Sequence, residues 1–391
     1  MKKKGKIVLA CILALCLVIT GFEIWNNHKG KSQSDLKFVF VHGLSGWGHY
    51  DAVNYVYPYW GLTGGSITKY LGRQGYDCYE ASVAPSGSAW DRACELYAQL
   101  AGTVVDYGKE HSERCHHDRY GKDYSKNPLM DDFYDSTIVL LGHSFGGATI
   151  RLFSEILVDG SPAEQECTDA DDLSPFFKGG DTDRIFAIVT LAAPSNGTTA
   201  YDLYEDPEFN VDSIYVPAKY EKAGDLMSDG TKAKIDGRIA EDYAAYDMHI
   251  DNAYELNETI TTFENIYYFA YPCSTTIIDE NGEKIPNADI TESMFMRSAI
   301  RMNKYAGTTK GGIVIDESWQ SNDGLVNEVS AMAPSFAPSE TYQSGVTLEP
   351  GKYYVMPTIT GDHMYFQGGM TKRVNIKPFY LELVQMISSL R

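Results

Sequence analysis

An apolar run that gives way abruptly to a helix-like run restricts the fold more than any other feature of the chain. TIVLL (137–141) is followed by GHSFGG (142–147), and ATIRLF (148–153) begins at once. A G-x-S-x-G sequence between a strand and a helix is typical of a sharp turn that exposes a serine nucleophile. Glycines are needed two positions either side because Cβ atoms there would collide. Ser144 would also lie at a helix N-terminus, where a developing anion is stabilised.

Strand-like and helix-like segments alternate along the chain. Strands are predicted at 36–43, 76–83, 136–143, 184–194, 265–271 and 353–360. Several of these are apolar throughout, as expected for strands that helices cover on both faces. Helices are predicted at 65–75, 90–111, 146–160 and 377–390. The alternation predicts an α/β fold with a mostly parallel, doubly wound sheet.

The N-terminus has the pattern of an export signal. Four lysines among the first six residues precede the uncharged, apolar segment 7–22. This segment is slightly shorter than the roughly 18–20 residues of a usual membrane-spanning helix. We predict that residues 1–25 form a signal peptide, either cleaved or kept as an N-terminal membrane anchor at the cell surface. Residues 26–35 are then a polar tether, and residues 36–391 a single exported domain.

Composition narrows the class of protein. A hydrophobic content of 43% is ample for a buried core. A formal net charge of −20 argues against a nucleic-acid partner, because such binding needs a basic face. Five cysteines follow the leader at wide, irregular spacing. An odd set of this kind does not indicate a disulfide framework, so we expect mostly free thiols.

A serine hydroxyl needs a general base to become a good nucleophile. In hydrolases with this turn the chain order is serine, acid, histidine. Of the nine histidines, only His249 and His363 follow Ser144. His363 is favoured because it comes just after a predicted strand, late in the chain. His249 precedes any suitable acid.

The acid that orients this histidine is predicted to be Asp323. It lies in the polar turn SWQSNDGLVN, after Ser144 and before His363, where it would orient the imidazole and stabilise its charged form. Asp316 and Asp362 remain weaker alternatives. Asp362 is adjacent to His363 and would reach the Nδ1 edge of the ring with difficulty.

Two backbone N–H groups are predicted to form an oxyanion hole. One is that of Phe145, directly after the serine, and the other is that of Leu44, in the loop after the first strand. That loop lies within FVFVHGLSGWGHY, residues 38–50. We interpret His42 in this segment as a structural residue at the end of the strand.

Seven motifs occur along the chain: VHGLSGWG, AWDRACELYAQLAGTVVDYGKEH, GHSFGG, AAPSNGTT, YDMHIDNAYELN, NDGLVNEVS and GDHMYF. Together, and in this order, they resemble the secreted lipases of Gram-positive bacteria, of the Geobacillus thermoalkalophilic and staphylococcal type. The resemblance implies an α/β-hydrolase that cleaves carboxylic esters of lipids. It assigns Ser144 as nucleophile, Asp323 as acid, His363 as base, and the amides of Leu44 and Phe145 as oxyanion hole.

The same resemblance implies a structural zinc ion held by two aspartates and two histidines, in an insertion at 91–125. Asp91, His111 and His117 match three of the family's ligands. Imidazoles and carboxylates suit four-coordinate zinc. The ion would clamp this insertion onto the later excursion at 200–255 and would have no chemical role.

The fourth zinc ligand is less directly matched. In the family it lies in a Lys-Leu-Asp sequence, and residues 234–236 are Lys-Ile-Asp. Asp236 is therefore predicted as the fourth ligand. Cys115 and His116 are alternatives because both lie between the two histidine ligands.

The chain departs from the family at two places. The positions that match the family's calcium site are Tyr365, Met370 and Thr371, which lack the carboxylates that calcium needs, so no calcium is predicted there. The lid or cap excursion at 200–255 is much shorter than in the family and lacks a long amphipathic helix. This reduced lid predicts an open cleft and a preference for short- to medium-chain acyl esters or glycerides.

Two other functions are compatible with these residues. The first is a polyester-cleaving or phospholipase-like esterase with the same serine, histidine and aspartate. The second is a catalytically inactive, surface-anchored binding protein on a hydrolase fold. The presence of all three residues disfavours the second function.

Overall fold

A seven-stranded sheet forms the centre of the computed structural model, which describes residues 32–202 and 239–391. The strands are β1 (Leu36–Val41), β2 (Asp77–Ala81), β3 (Thr137–His143), β4 (Ile185–Leu191), β5 (Tyr267–Tyr271), β6 (Ser339–Thr341) and β7 (Tyr353–Val355). Their order in the sheet is β6-β7-β5-β4-β3-β1-β2, and all neighbours are parallel. The predicted parallel, doubly wound sheet is confirmed.

Helices connect and cover these strands. They are α1 (Ile67–Arg73), α2 (Ala89–Ala101), α3 (Lys109–Cys115), α4 (Gly146–Asp159), α5 (Pro162–Cys167), α6 (Pro175–Lys178), α7 (Thr199–Asp202), α8 (Ala244–Asp247), α9 (Ile250–Thr259), α10 (Met296–Met302) and α11 (Lys377–Ser388). Short 3-10 turns lie at Ala52–Tyr55, Phe133–Asp135, Ala240–Asp242, Glu317–Trp319 and Tyr365–Gln367. Four two-stranded pairs lie outside the sheet: Val104–Asp106 with Tyr120–Asp123, Cys273–Ser274 with Ile359–Thr360, Thr276–Ile278 with Lys284–Pro286, and Gly307–Thr308 with Val314–Ile315.

Apolar side chains pack on both faces of the sheet, because successive residues of a strand point to opposite faces. In β1, Val39 and Val41 join the cluster that includes α2 and α4. Phe38 and Phe40 join the cluster on the other face, with α1 and α11. The strands are therefore covered on both sides, which explains their continuously apolar sequences.

The six predicted strands are all present in the sheet, but two details of the prediction were wrong. The edge strand β6 was missed because its three residues are polar and exposed. The predicted single helix at 90–111 is two helices. The first, α2, is terminated by Gly102, the residue after its last helical position. Its φ of 66° is left-handed, a conformation that glycine adopts at little energetic cost. A short strand, Val104–Asp106, then precedes α3.

The position of β1 between β2 and β3 determines where a site forms. The chain passes from β1 to one side of the sheet and then crosses to the other, so the loops after β1 and β3 diverge at the carboxyl ends of neighbouring strands. Doubly wound sheets bind ligands in the crevice at such a switch point. The predicted oxyanion loop follows β1, and the predicted serine turn follows β3.

Several predictions concern residues that the structure does not describe. The proposed leader, residues 1–25, lies outside the described ranges, as do most of the tether and residues 203–238 of the lid excursion. Within residues 32–202 and 239–391, none of the helices is long and apolar enough to cross a bilayer. The five cysteines of these ranges are free thiols, as expected: Cys78, Cys94, Cys115, Cys167 and Cys273.

The turn after β3 gives a test of the packing. A Cβ at Gly142 would lie 2.4 Å from the backbone oxygen of Gly146, a contact that no side-chain movement relieves. We expect Gly142→Ala to lower the free energy of unfolding by about 3 kcal/mol or more, measured by urea denaturation. Gly72→Ala is the matched control, because its Cβ would meet nothing within 4 Å in α1. This control should raise the unfolding free energy by roughly 0.5–1 kcal/mol; similar losses in both variants would contradict the analysis.

Candidate active site

Ser144 lies in the turn between β3, which ends at His143, and α4, which begins at Gly146. Its φ is 54°, in the left-handed region that residues with a Cβ rarely adopt. The turn packs against β1 so closely that a Cβ at Gly146 would lie 2.3 Å from the carbonyl oxygen of Val41. The glycines around Ser144 are thus required by backbone contacts as well as by the turn itself.

A hydrogen-bonded chain connects Ser144, His363 and Asp323. The Oγ of Ser144 is 2.8 Å from Nε2 of His363, and Nδ1 of the same ring is 2.8 Å from Oδ2 of Asp323. Asp323 is fully buried, and the other two side chains are less than a tenth exposed. The structure therefore brings together the three residues that chain order and local sequence selected.

Asp323 is fixed by its own turn. Its Oδ1 accepts hydrogen bonds from the backbone N–H groups of Leu325 and Val326, at 2.9 and 2.8 Å. Its carbonyl oxygen accepts a hydrogen bond of 2.9 Å from the backbone N–H of His363. Both oxygens of the carboxylate are therefore used, and the acid and the imidazole have a fixed relative position.

The alternatives to these residues point elsewhere. Asp316 accepts hydrogen bonds from Ser318 at the start of a 3-10 turn. Asp362 Oδ2 accepts from the backbone N–H of Glu292 at 2.7 Å. The Nδ1 of His249 is 2.9 Å from a carboxylate oxygen of Asp202.

The loop after β1 lies directly against the serine. A Cβ at Gly43 would be 2.7 Å from Cβ of Ser144, so only a glycine permits this approach. The backbone N–H of Leu44 directly follows Gly43 and that of Phe145 directly follows Ser144, and neither has a hydrogen-bond partner within residues 32–202 and 239–391. Two unused donors next to a nucleophile suit a developing oxyanion.

His42 and Arg92 hold this loop in place. His42 is buried; its Nδ1 is 2.8 Å from the carbonyl oxygen of Gly43, and its Nε2 accepts a hydrogen bond from Val83. Burial lowers the pKa of His42 to about 3, so the ring is neutral and structural, as the sequence indicated. Arg92 donates to the carbonyls of His42 and Gly43, and its guanidinium lies 5.1 Å from the centre of the Phe145 ring. One buried side chain thus contacts both predicted oxyanion segments.

An apolar pocket opens beside Ser144 and His363. Seven further residues line it: Leu44, Thr198, Ala200, Tyr201, Met248, Leu325 and Val326. Leu325 and Val326 belong to the turn that holds Asp323, and Leu44 belongs to the loop after β1. The pocket offers a hydrophobic surface to a group attached to the carbon that the serine would attack.

A second cluster of polar side chains joins α2, α3 and the 3-10 turn at Ala240–Asp242. The Nε2 of His111 is 3.1 Å from Asp91 Oδ1 and 3.2 Å from Asp242 Oδ1. The Nε2 of His117 is 3.7 Å from Asp91 Oδ1 and 3.6 Å from Asp242 Oδ2. Nitrogen and oxygen ligands of a tetrahedral zinc ion lie about 3.3 Å apart, since each is about 2.0–2.1 Å from the metal. The four side chains therefore have a spacing that suits a four-coordinate metal ion.

The environment of the cluster favours a cation. The Nδ1 of His117 is 2.8 Å from the carbonyl oxygen of Asp118, which fixes the tautomer that leaves Nε2 free to bind a metal. That Nε2 is buried and has no hydrogen-bond partner in the described part of the chain. Burial lowers the pKa of His111, but its bonds to Asp242 and Asp91 outweigh this effect and raise it to about 11. The two carboxylates attract positive charge strongly.

The fourth member of the cluster is Asp242, which the sequence analysis did not name as a ligand. Asp236 lies outside the described residues, and Asp242 completes the cluster with the two histidines and Asp91. The assignment of Asp236 as a ligand stays a prediction. The alternatives are not members: His116 is exposed in a left-handed conformation, and Cys115 Sγ faces Nδ1 of His111 at 3.8 Å.

The loop that follows His363 is held by a carboxylate from another segment. Glu292 accepts hydrogen bonds from the backbone N–H groups of Met370, Thr371 and Lys372 at 2.6–2.9 Å. Both carboxylate oxygens are used, since the Thr371 hydroxyl donates to the second. The absence of calcium at this loop stays a prediction.

The fold and the serine–histidine–aspartate chain at its switch point define a protein of the α/β-hydrolase class. The family model described as "Lipase-like, C-terminal domain" matches residues 34–223. The chain is 34% identical over 369 residues to the lipase of Staphylococcus hyicus, covering 88% of this chain and 55% of that protein. The chain belongs to this family of bacterial lipases. It spans about half the length of the curated relatives it matches.

Two solved structures resemble this one over most of their length. EstA from Clostridium botulinum superposes with a TM-score of 0.78 at 30% identity, covering 91% of this chain and 88% of that chain. Lipase 1 from Pelosinus fermentans superposes with a TM-score of 0.75 at 30% identity, covering 92% and 100%. The resemblance proposed from the seven motifs and the α/β-hydrolase fold are both confirmed.

The two aspartates near the cluster provide a test of its membership. We expect Asp242→Ala to reduce bound metal to near zero and to lower Tm by several degrees, because removing one of the four candidate ligands opens the site. Asp236→Ala is the control and should retain the metal and the Tm. Metal content by mass spectrometry and Tm by calorimetry measure both effects. Loss of metal in Asp236→Ala, with metal retained in Asp242→Ala, would instead identify Asp236 as the ligand.

Proposed function

We propose that the protein is an exported carboxylic ester hydrolase that cleaves lipid esters through an acyl-enzyme. The observation that carries the proposal is the position of the His363 ring, 2.8 Å from both Ser144 Oγ and the Asp323 carboxylate. Export follows from the basic and apolar leader in the sequence. The family membership supports the same activity.

The proposed reaction begins when His363 takes the proton of Ser144 as its Oγ attacks the ester carbonyl carbon. Asp323 holds the imidazole in the tautomer that presents a basic Nε2 to the serine and stabilises the imidazolium that forms. The imidazolium then gives its proton to the alcohol oxygen, and the alcohol leaves. His363 next takes a proton from a water molecule, which attacks the acyl-enzyme. The imidazolium then returns this proton to Oγ of Ser144 as the carboxylic acid is released.

Each tetrahedral intermediate carries a negative oxygen that must be stabilised. The N–H groups of Leu44 and Phe145 are proposed to donate to it, since both adjoin the serine and are otherwise unused in the described ranges. The N-terminus of α4, which begins at Gly146, adds its positive end. Removing one donor from such a site typically lowers kcat by about 10²–10³-fold.

The acyl group is proposed to occupy the apolar pocket between Leu44, Met248 and Val326. By its sequence, the segment between residues 200 and 255 has no apolar face comparable to that of the long amphipathic lid helix in the resembling lipases, and it is shorter than their lid region. A reduced lid would leave the acyl site open to water and would offer long acyl chains less apolar protein surface to bind against. Short- to medium-chain esters are therefore the proposed substrates.

The cluster of Asp91, His111, His117 and Asp242 is proposed to hold a structural zinc ion. Four protein ligands leave no open coordination position, which is characteristic of structural rather than catalytic zinc. The ion would tie the insertion after α2 to the segment that leads to α8. Met248, just after α8, lines the pocket, so the metal would stabilise one wall of the substrate site.

The role of Asp323 can be separated from a general effect of lost charge. We expect Asp323→Asn to lower kcat by about 10⁴-fold, because the amide favours the wrong imidazole tautomer while preserving the shape of the turn. Asp316→Asn is the control: this exposed side chain caps a 3-10 turn, and activity should stay within about 2-fold. Steady-state hydrolysis of p-nitrophenyl butyrate measures both, and retained activity in Asp323→Asn would contradict its assignment.

The chain-length preference tests the substrate proposal. We expect kcat/KM to be higher for p-nitrophenyl butyrate and octanoate than for the palmitate by about 10-fold or more, since each unburied methylene forfeits roughly 0.8 kcal/mol. The rate on tributyrin should rise smoothly through its solubility limit. A higher kcat/KM for the palmitate, with a sharp increase in rate at the oil interface, would overturn the proposed chain-length preference. Faster hydrolysis of phospholipid or polyester would favour those alternative substrates.

A further inference from the structure

The residue before the serine belongs to a second buried hydrogen-bond chain. His143 is the last residue of β3 and is about 1% exposed. Its Nε2 is 2.9 Å from the carbonyl oxygen of His363, and its Nδ1 is 2.7 Å from the hydroxyl oxygen of Tyr59. The same hydroxyl accepts a hydrogen bond of 2.9 Å from the backbone N–H of Gly43. The chain therefore runs from the loop after β1 to the backbone of His363.

Only one arrangement of protons satisfies every member of this chain. The N–H of Gly43 can only donate, so the oxygen of Tyr59 accepts from it and its O–H donates to Nδ1 of His143. Nδ1 is then an acceptor, and the ring proton is on Nε2. This N–H donates to the carbonyl oxygen of His363, which can only accept. His143 is thus a neutral ring with one defined tautomer.

The surroundings keep this arrangement fixed. Burial, reinforced by the nearby His363, lowers the pKa of His143 well below its usual value, so the ring stays neutral. Burial likewise raises the pKa of Tyr59 and keeps its proton in place. Trp60 packs edge-on against the His143 ring at 6.2 Å and against the Tyr59 ring at 5.3 Å.

The hydrogen-bond chain ends at the two parts of the site whose relative position must stay fixed. Gly43 directly precedes Leu44, whose N–H is a proposed oxyanion donor, and it lies within van der Waals contact of Ser144. His363 is the proposed base. An error of about 1 Å in the position of either group is enough to reduce catalysis strongly. A rigid polar link between them would limit that error.

We propose that Tyr59 and His143 are positioning residues, whose hydrogen bonds hold the oxyanion loop at Gly43 and the backbone of His363 at a fixed separation. This role rests on the proposed ester hydrolase function. The His143 ring packs against the His363 ring with 5.0 Å between their centres, and its hydrogen bonds go to the His363 backbone and to Tyr59, so the link acts through Leu44 and His363. Its loss should raise the barrier to the chemical step while leaving the apolar pocket, and hence ester binding, almost unchanged.

The test compares two buried tyrosines in the same layer of the core. Tyr59→Phe removes only the hydroxyl of the chain and leaves the Gly43 N–H and Nδ1 of His143 without partners. Tyr380→Phe is the control, because Tyr380 is equally buried, packs on the same Trp60, and donates its hydroxyl to the carbonyl of Phe366. Tyr59→Phe loses two buried hydrogen bonds and Tyr380→Phe loses one, so the stability of both variants must be known before their kcat values are compared. Stability is measured by urea unfolding, and kcat and KM by hydrolysis of p-nitrophenyl butyrate.

We expect Tyr59→Phe to lower kcat by about 10-fold or more with KM within about 2-fold, and Tyr380→Phe to leave both near the wild-type values. His143→Gln provides a second variant, since its amide can still donate to the His363 carbonyl but offers no ring acceptor to Tyr59. In a double-mutant cycle, Tyr59→Phe should add little to the loss of kcat in His143→Gln, because both break the same link.

Three results would overturn the proposal. They are a kcat unchanged in both Tyr59→Phe and His143→Gln, equal losses in Tyr59→Phe and Tyr380→Phe, or full additivity in the double mutant. Failure of the proposed function is a separate outcome, because the wild-type protein itself would then fail to hydrolyse the ester. If the wild type hydrolyses the ester and kcat is unchanged in Tyr59→Phe, the positioning role is contradicted and the ester hydrolase function stands.

Discussion

The close approach of two backbones at the serine turn is the constraint on which the rest of the site depends. Gly142 and Gly146 allow the turn to close, Gly146 allows it to lie against β1, and Gly43 allows the loop after β1 to reach Ser144. The packing of the surrounding backbone holds Ser144 at its positive φ and offsets the strain of this conformation. The nucleophile and the two segments that carry the proposed oxyanion amides are thereby packed together at the switch point of the sheet.

Two buried charged side chains near this point, Asp323 and Arg92, are hydrogen-bonded, which makes the arrangement rigid. Asp323 is fully buried yet uses both carboxylate oxygens, and the Arg92 guanidinium binds the carbonyls of the loop after β1. Burial lowers the pKa of Arg92 to about 10, so it keeps its charge at neutral pH. Leaving any of these groups unpaired would cost about 1–3 kcal/mol or more. The cluster around His111 extends this rigidity to the wall of the pocket.

The sequence was sufficient where a local pattern carries its own physical reason. The turn at Ser144, the late histidine and the acid between them follow from chain order, and the apolar strands follow from burial on both faces. The sequence was insufficient where packing between distant segments determines which residues come together. Asp242 joins His111 across 131 residues of sequence, and nothing local distinguishes it from Asp236. His143 and Tyr59 were also missed, because a buried polar link between strand ends leaves no periodic signal.

Reaction with a fluorophosphonate ester, followed by mass spectrometry of the digested protein, tests the central claim that one hydroxyl is activated by one imidazole. We expect a single adduct on the peptide that contains Ser144, complete loss of ester hydrolysis on labelling, and little labelling of the His363→Ala variant. Labelling at another residue, or an equal rate of labelling with His363 replaced, would contradict it.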